Sequence, residues 1–178
     1  MYPRLREQGS IYYITSNIHG RLRIFTKPSF ILPIFDSLNF YRFEHKCKLL
    51  GYVIMPDHLH LLLRPVEHAS SISEFMRDLK RFTSGRIARQ AELESRTDWT
   101  TAFKESGKQS QRAEKQVWQA SFWEQMIWSE PFVIQKLNYI HMNPVRAGLA
   151  SDPADYPHSS YRNYEFDDNS LIDIDKDW

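Results

Sequence analysis

Apolar positions change their period several times along the chain, and each change marks an element. Residues 11–19 (IYYITSNIH), a β-branched and aromatic run after Gly9-Ser10, predict a first strand. From Ile31 to Glu44 the side chains Ile31, Ile34, Phe35, Leu38 and Tyr41 recur at helical spacing, with Pro33 placed in the first turn. Residues 47–55 (CKLLGYVIM) then read as a buried strand, Pro56-Asp57 as a tight turn, and residues 58–64 (HLHLLLR) as the next strand. Ser71 and Glu74 form a capping-box pair that opens a second helix with the apolar stripe Ile72, Phe75, Met76, Leu79 and Phe82. Residues 94–117 are polar without clear periodicity and predict a long loop or insertion. VWQASFWEQMIW reads as a further strand, and a third helix is expected from about Ser129 to Asn143-Pro144, where proline stops it.

The first six elements follow the order β-α-β-β-α-β. This is an α+β arrangement: a ferredoxin-like antiparallel sheet with helices over one face. The third helix is an addition to that core. A catalytic domain over residues 1–164 and an acidic tail over 165–178 are the expected divisions.

Charge sharpens this picture. The 178 residues carry a net +1, but residues 151–178 hold eight acids against Arg162 and Lys176, so that this segment is −6 and residues 1–150 are +7. A basic body suits a polyanion partner, and a solvated surface with a loose tail explains it equally well. Composition is that of an ordinary folded protein, 42% hydrophobic and 25% charged. No apolar run approaches the roughly 18 residues that span a bilayer, so no membrane partner is expected. Cys47 is the only cysteine, which excludes an internal disulfide and fits a cytoplasmic protein.

Two local patterns carry chemistry. In Asp57-His58-Leu59-His60, strand alternation points His58 and His60 to one face and Leu59, Leu61 and Leu63 to the other. Two imidazoles so placed can share a divalent cation; they can equally be ordinary histidines, one held by a hydrogen bond. In LNYIHMNPVRAGL, Tyr139 and Asn143 lie four apart on one helical face, away from the packing stripe Val133, Leu137 and Ile140. A nucleophile beside a metal ligand is one reading, and a half-buried tyrosine followed by an asparagine cap is the other. His141 lies round the helix from Tyr139 and stays outside the candidate site. Basic residues on the second helix, Arg77, Lys80, Arg81 and Arg86 with Arg89 beyond, can follow a nucleic-acid backbone. Lys136 and Arg146 can reach phosphate near Tyr139, and Trp118, Phe122 and Trp123 can stack on bases or fill the core.

Three blocks in order, YVIMPDHLHLLLRP, VWQASFWEQMIW and NYIHMNPVRAGL with DYPHSSYRNY after it, span most of residues 10–164. On these the chain resembles the single-tyrosine HUH transposases, especially the REP-associated tyrosine transposases. The resemblance implies a ferredoxin-like catalytic domain with His58 and His60 as metal ligands on a central strand. It also implies Asn143 as the third ligand, Mg²⁺ or Mn²⁺ as the metal, and Tyr139 as the nucleophile. The implied activity is cutting and rejoining of single-stranded or hairpin DNA through a 5′-phosphotyrosine, by a monomer or homodimer. Glu124-Gln125 departs from an acidic-histidine pair common in such relatives, and Trp128 stands near a position that is commonly basic. A regulatory DNA-binding protein of the same fold and a water-activating metallonuclease are the alternative expectations.

Overall fold

In a computed structural model that describes residues 9–110 and 114–178, four strands and five α-helices follow the expected order with two additions. The first eight residues of the expected domain, and residues 111–113 of the expected loop, lie outside the described residues. Strands β1 (Ile11–Asn17), β2 (Cys47–Met55), β3 (His58–Pro65) and β4 (Trp123–Ile127) form one sheet in the order β2-β3-β1-β4. Every neighbouring pair is antiparallel. Helices α1 (Pro28–Glu44) and α2 (Ile72–Leu93) bury one face of the sheet through Leu59, Leu61 and Leu63 of β3. The added helix α4 (Glu130–Arg146) lies over the other face, where Val133, Leu137 and Ile140 meet Leu50, Val53 and Leu62. The result is three layers, with the histidine side of β3 under α4.

The capping box of α2 forms as read: the Ser71 hydroxyl accepts from Glu74 N at 3.2 Å, and Ser71 N donates to the Glu74 carboxylate at 2.9 Å. A bulge between Leu49 and Gly51 shifts the pleat of β2. Leu49 before it and Tyr52 and Ile54 after it therefore all face α1 and α2. The same shift turns Gly51 toward α4, where an added Cβ would sit 2.6 Å from Leu137 Cδ2.

Four expectations need correction. Residues 94–117 are not a loop, since helix α3 (Thr97–Ser110) occupies most of them. It buries Trp99, Phe103, Ser106 and Gly107, and two small polar or side-chain-less positions in that stripe hide its periodicity. Helix α4 does not stop at Asn143-Pro144. Proline there removes one backbone donor, but burial of Pro144 holds the helix on to Arg146, and Gly148 ends it in a left-handed conformation (φ 68°). Helix α1 begins at Pro28, so Pro33 lies beyond the first turn, with its carbonyl accepting from Ser37 Oγ at 2.6 Å.

The fourth correction concerns the C-terminal segment. A short helix α5 (Tyr161–Phe166) precedes it, and the acidic tail docks on the body. Ile172 and Ile174 enter the main core. Asp175 accepts from Arg42 and from Leu49 N, both at 2.9 Å, and its own N–H donates to Leu49 O at 2.8 Å. Asp177 pairs with Lys48 and Arg64. The tail and residues 158–160 thereby cover the outer edge of β2.

Candidate active site

Register brings the site together. Thr15 lies directly across from His60 and Asn17 across from His58, so β1 presents Tyr13, Thr15 and Asn17 on the histidine face. His60 is buried, and its Nδ1 lies 2.7 Å from the Tyr13 hydroxyl and 2.8 Å from Thr15 Oγ1. His60 Nε2 is buried and has no hydrogen-bond partner among the described residues. With the proton on Nδ1, the ring donates to those hydroxyl oxygens and its Nε2 lone pair points away from them. His58 Nδ1–H donates to Asp57 Oδ1 at 2.6 Å, and Asp57 Oδ2 is held 2.8 Å from Arg21 Nε. Arg21 also donates to Asn17 Oδ1.

The two imidazoles lie 4.8 Å apart, centroid to centroid, with planes at 83°. Burial pushes the His60 imidazole down to about 3 and, against the pull of Asp57, also lowers His58. Both rings are therefore neutral at physiological pH, the form that ligates metal. Carboxylate and hydroxyl partners on the far nitrogens are the outer contacts that orient ligating histidines. The pair fits a divalent cation. Among the described residues no group of three His, Cys, Asp or Glu side chains gathers here.

Helix α4 places Tyr139 over this pair. Its ring is 5.6 Å from His60 and 6.0 Å from Tyr13, both edge-to-face, and it is 41% exposed, open to a substrate. The Arg146 guanidinium lies 5.3 Å from the Tyr139 ring centroid. Lys136 Nζ rests 4.5 Å over Tyr13 and 5.3 Å over Phe132, held by ring faces. Asn143, one turn beyond Tyr139, lines a cavity of about 230 Å³ with Asp57, His58, Arg21 and Arg23.

A family profile described as "Transposase IS200 like" matches residues 12–106, more than half of the chain and inclusive of both histidines. The chain belongs to the IS200-like transposase family. It is thus a DNA-cleaving transposase. A Haemophilus influenzae protein named as a REP-associated tyrosine transposase is 27% identical over 167 residues, covering 90% of this chain and 84% of that one. The solved structure of a REP-associated tyrosine transposase bound to a REP hairpin superposes with a TM-score of 0.69 at 20% identity, covering 98% of this chain and 89% of that chain. That likeness extends the shared fold past the profile match to the region of α4.

Not all residues expected to touch DNA lie beside this transposase site. Lys136 and Arg146 do. Arg77, Lys80, Arg81 and Arg86 sit on α2, across the sheet. Arg77 and Arg81 both pair with Asp78, and Arg86 pairs with Asp36. Lys80 points inward, and its ammonium donates to Gln119 O and Ser121 O, each at 2.9 Å. Trp118 is a core residue whose indole N–H donates to Thr83 Oγ1 at 2.9 Å, whereas Trp123 is half exposed beside Tyr13. Two tyrosines nearer the C-terminus are tied down by hydrogen bonds: Tyr156 donates to Ile54 O and Tyr164 to Leu50 O, each at 2.7 Å. His141 is buried against Ser160 Oγ at 2.9 Å, consistent with its exclusion.

Sequence reading missed Tyr13, Thr15, Asp57, Arg21 and Arg23. The alternation Tyr13-Thr15-Asn17 and the position of Asp57 next to His58 were visible signals, but strand pairing is needed to bring them onto the histidines.

Proposed function

We propose that this transposase is a metal-dependent single-stranded DNA endonuclease and strand transferase acting through a 5′-phosphotyrosine. The observation that carries the reading is the neighbouring imidazole pair, with the buried, partnerless His60 Nε2 and the exposed ring of Tyr139 edge-to-face with His60. His58 and His60, with the Asn143 amide, would hold Mg²⁺ or Mn²⁺. Such an ion, when bound, supplies Lewis-acid polarisation of the scissile phosphate.

The chain's own residues do the rest. Tyr139 Oη gives its proton to solvent and bonds to phosphorus, the bond to the 3′-oxygen breaks, and the departing 3′-oxyanion takes up a proton to become a free 3′-hydroxyl. Because the phosphodiester energy is kept in the tyrosine ester, the hydroxyl can reverse the step on the same or another strand without ATP. Lys136 and Arg146 flank the nucleophile with positive charge and favour its phenolate and the phosphate. Asp57 and Arg21 orient His58, and Tyr13 and Thr15 orient His60.

Hairpin-containing DNA is the proposed substrate, by analogy with the REP hairpin bound to the structural relative, and the cytoplasm the proposed location. The test is a denaturing gel with labelled hairpin DNA and Mn²⁺. A slow covalent adduct, lost in Tyr139→Phe and in the His58→Ala/His60→Ala double variant, is expected. Cleavage that persists in Tyr139→Phe overturns the phosphotyrosine step in favour of a water-activating nuclease.

A further inference from the structure

On the sheet face opposite the histidines, the outer side of α2 and residues 114–122 enclose a groove of about 660 Å³. That volume lies within the range of pockets that take whole small molecules. Phe122, Ala88 and Gly85 line it, as do the exposed side chains of Arg77, Arg81 and Arg89. Gly85 stands in the interior of a 22-residue helix, where glycine costs about 1 kcal/mol relative to alanine. A Cβ placed there would meet nothing within 4 Å. The packing of the described residues therefore gives no reason for glycine, whereas close approach of a ligand to the helix backbone does.

The lining is complementary to a polyanion with flat apolar parts. Five cationic side chains and two acidic ones line it. Lys80, buried by the wall it supports, ties the 119–121 backbone in place and lies 5.4 Å from the Phe122 ring centroid. The wall also connects the two faces of the molecule. Phe122 lines the groove, while its neighbour Trp123 opens β4 on the histidine side, edge-on to Tyr13 at 5.7 Å. Consecutive residues of this segment thus face the groove and the catalytic side in turn.

We propose that this groove is a second DNA subsite, which seats an unpaired nucleobase against Phe122 and the bare backbone at Gly85 and holds its phosphates on Arg81 and Arg89. It rests on the reading of the chain as an enzyme acting on single-stranded DNA, but not on the metal or the phosphotyrosine step. None of residues 165–178 lines the groove, so the acidic tail does not cover it.

The test is fluorescence anisotropy with labelled oligothymidylate of about 12 nucleotides, a length within the range one single-strand site covers. Oligothymidylate cannot form a stem, and EDTA in low salt removes any contribution from the metal site. Wild-type protein binds. Gly85→Leu, which places a bulky side chain in the groove lining, binds roughly 10-fold or more weakly, the loss expected for one stacked base, with a melting temperature at least that of wild type. Arg89→Gln, an exposed change that leaves the helix intact, also binds more weakly and reduces the dependence of affinity on salt. Equal affinity of Gly85→Leu and wild type overturns the proposal, as does failure of the wild type to bind. Absence of a covalent adduct in the gel assay would instead count against the phosphotyrosine reading and leave this result standing.

Discussion

Gly51→Ala tests how α4 is held over the histidines. The added methyl would lie 2.6 Å from Leu137 Cδ2, roughly 1 Å inside a comfortable carbon–carbon contact. Leu137 is 6% exposed and packed among Leu50, Val53 and Leu62, so it has little room to turn. Either it is forced off its rotamer or α4 lifts from the sheet. Overpacking of this kind costs about 1–3 kcal/mol, which for a chain of this size lowers the melting temperature by about 2–12 °C. The chemical effect is larger, because Tyr139 rides two residues further along the same helix. A displacement of the order of 1 Å costs about 100-fold in a reaction that depends on in-line geometry.

Leu137→Ala alone leaves a cavity and costs about 2–5 kcal/mol. In Gly51→Ala/Leu137→Ala the new methyl grows into that cavity, so the double variant is more stable than the sum of the single effects, by about 1–3 kcal/mol. Urea unfolding of the four proteins gives the cycle, and single-turnover adduct formation gives the chemistry. Additive stabilities, or a Gly51→Ala protein that reacts at the wild-type rate, would refute the claim that this contact sets the position of the nucleophile.

Asp57→Asn replaces the anionic partner of His58 Nδ1–H, and Mn²⁺ affinity measured by calorimetry is expected to fall about 10- to 100-fold; unchanged affinity would deny Asp57 its orienting role. His141 is pushed down to about 4 by burial, below its value in the unfolded chain. The unfolded state therefore takes up the proton first as pH falls, and stability drops between about pH 6.5 and 4 by an amount of the order of 3 kcal/mol. His58, His60 and His158 act in the same direction, so the quantity to measure is the difference between wild type and His141→Gln in how the unfolding free energy from urea titrations changes with pH, and identical pH profiles would contradict the assignment. Lys80→Met removes two charge-assisted bonds to the 119–121 backbone and should speed amide exchange there without moving the rest of the sheet. Deleting residues 170–178 strips Ile172 and Ile174 from the core and should lower the melting temperature clearly, whereas a loosely attached tail would be lost without effect.

Strand alternation was enough to place His58 and His60 together, because β3 has an unbroken apolar face at Leu59, Leu61 and Leu63 that admits only one orientation. The helical spacing of Tyr139 and Asn143 likewise survived folding. What the sequence concealed depends on contacts between elements. Tyr13 and Thr15 reach His60 only through the register of β1 on β3, and Arg21 reaches Asp57 through a left-handed turn at Gly20 (φ 62°) and Arg21 (φ 56°). α3 was hidden because small residues pack well where a helix approaches closely, and they leave no apolar signature. Pro144 misled because burial outweighs one missing hydrogen bond. The tail misled because its acids outnumber the two isoleucines that anchor it.

The covered β2 edge bears on self-association. An exposed edge strand is a template for another chain, and a sheet with two such edges can add copies indefinitely. Here Asp175 and residues 158–160 already occupy the backbone groups of β2, while among the described residues no further strand lies outside β4. Among the described residues, sheet extension therefore has a single open side. Two copies joined through it would be related by a twofold axis and would consume both open edges at once, so growth by strand addition ends at a pair and cannot run on into a filament.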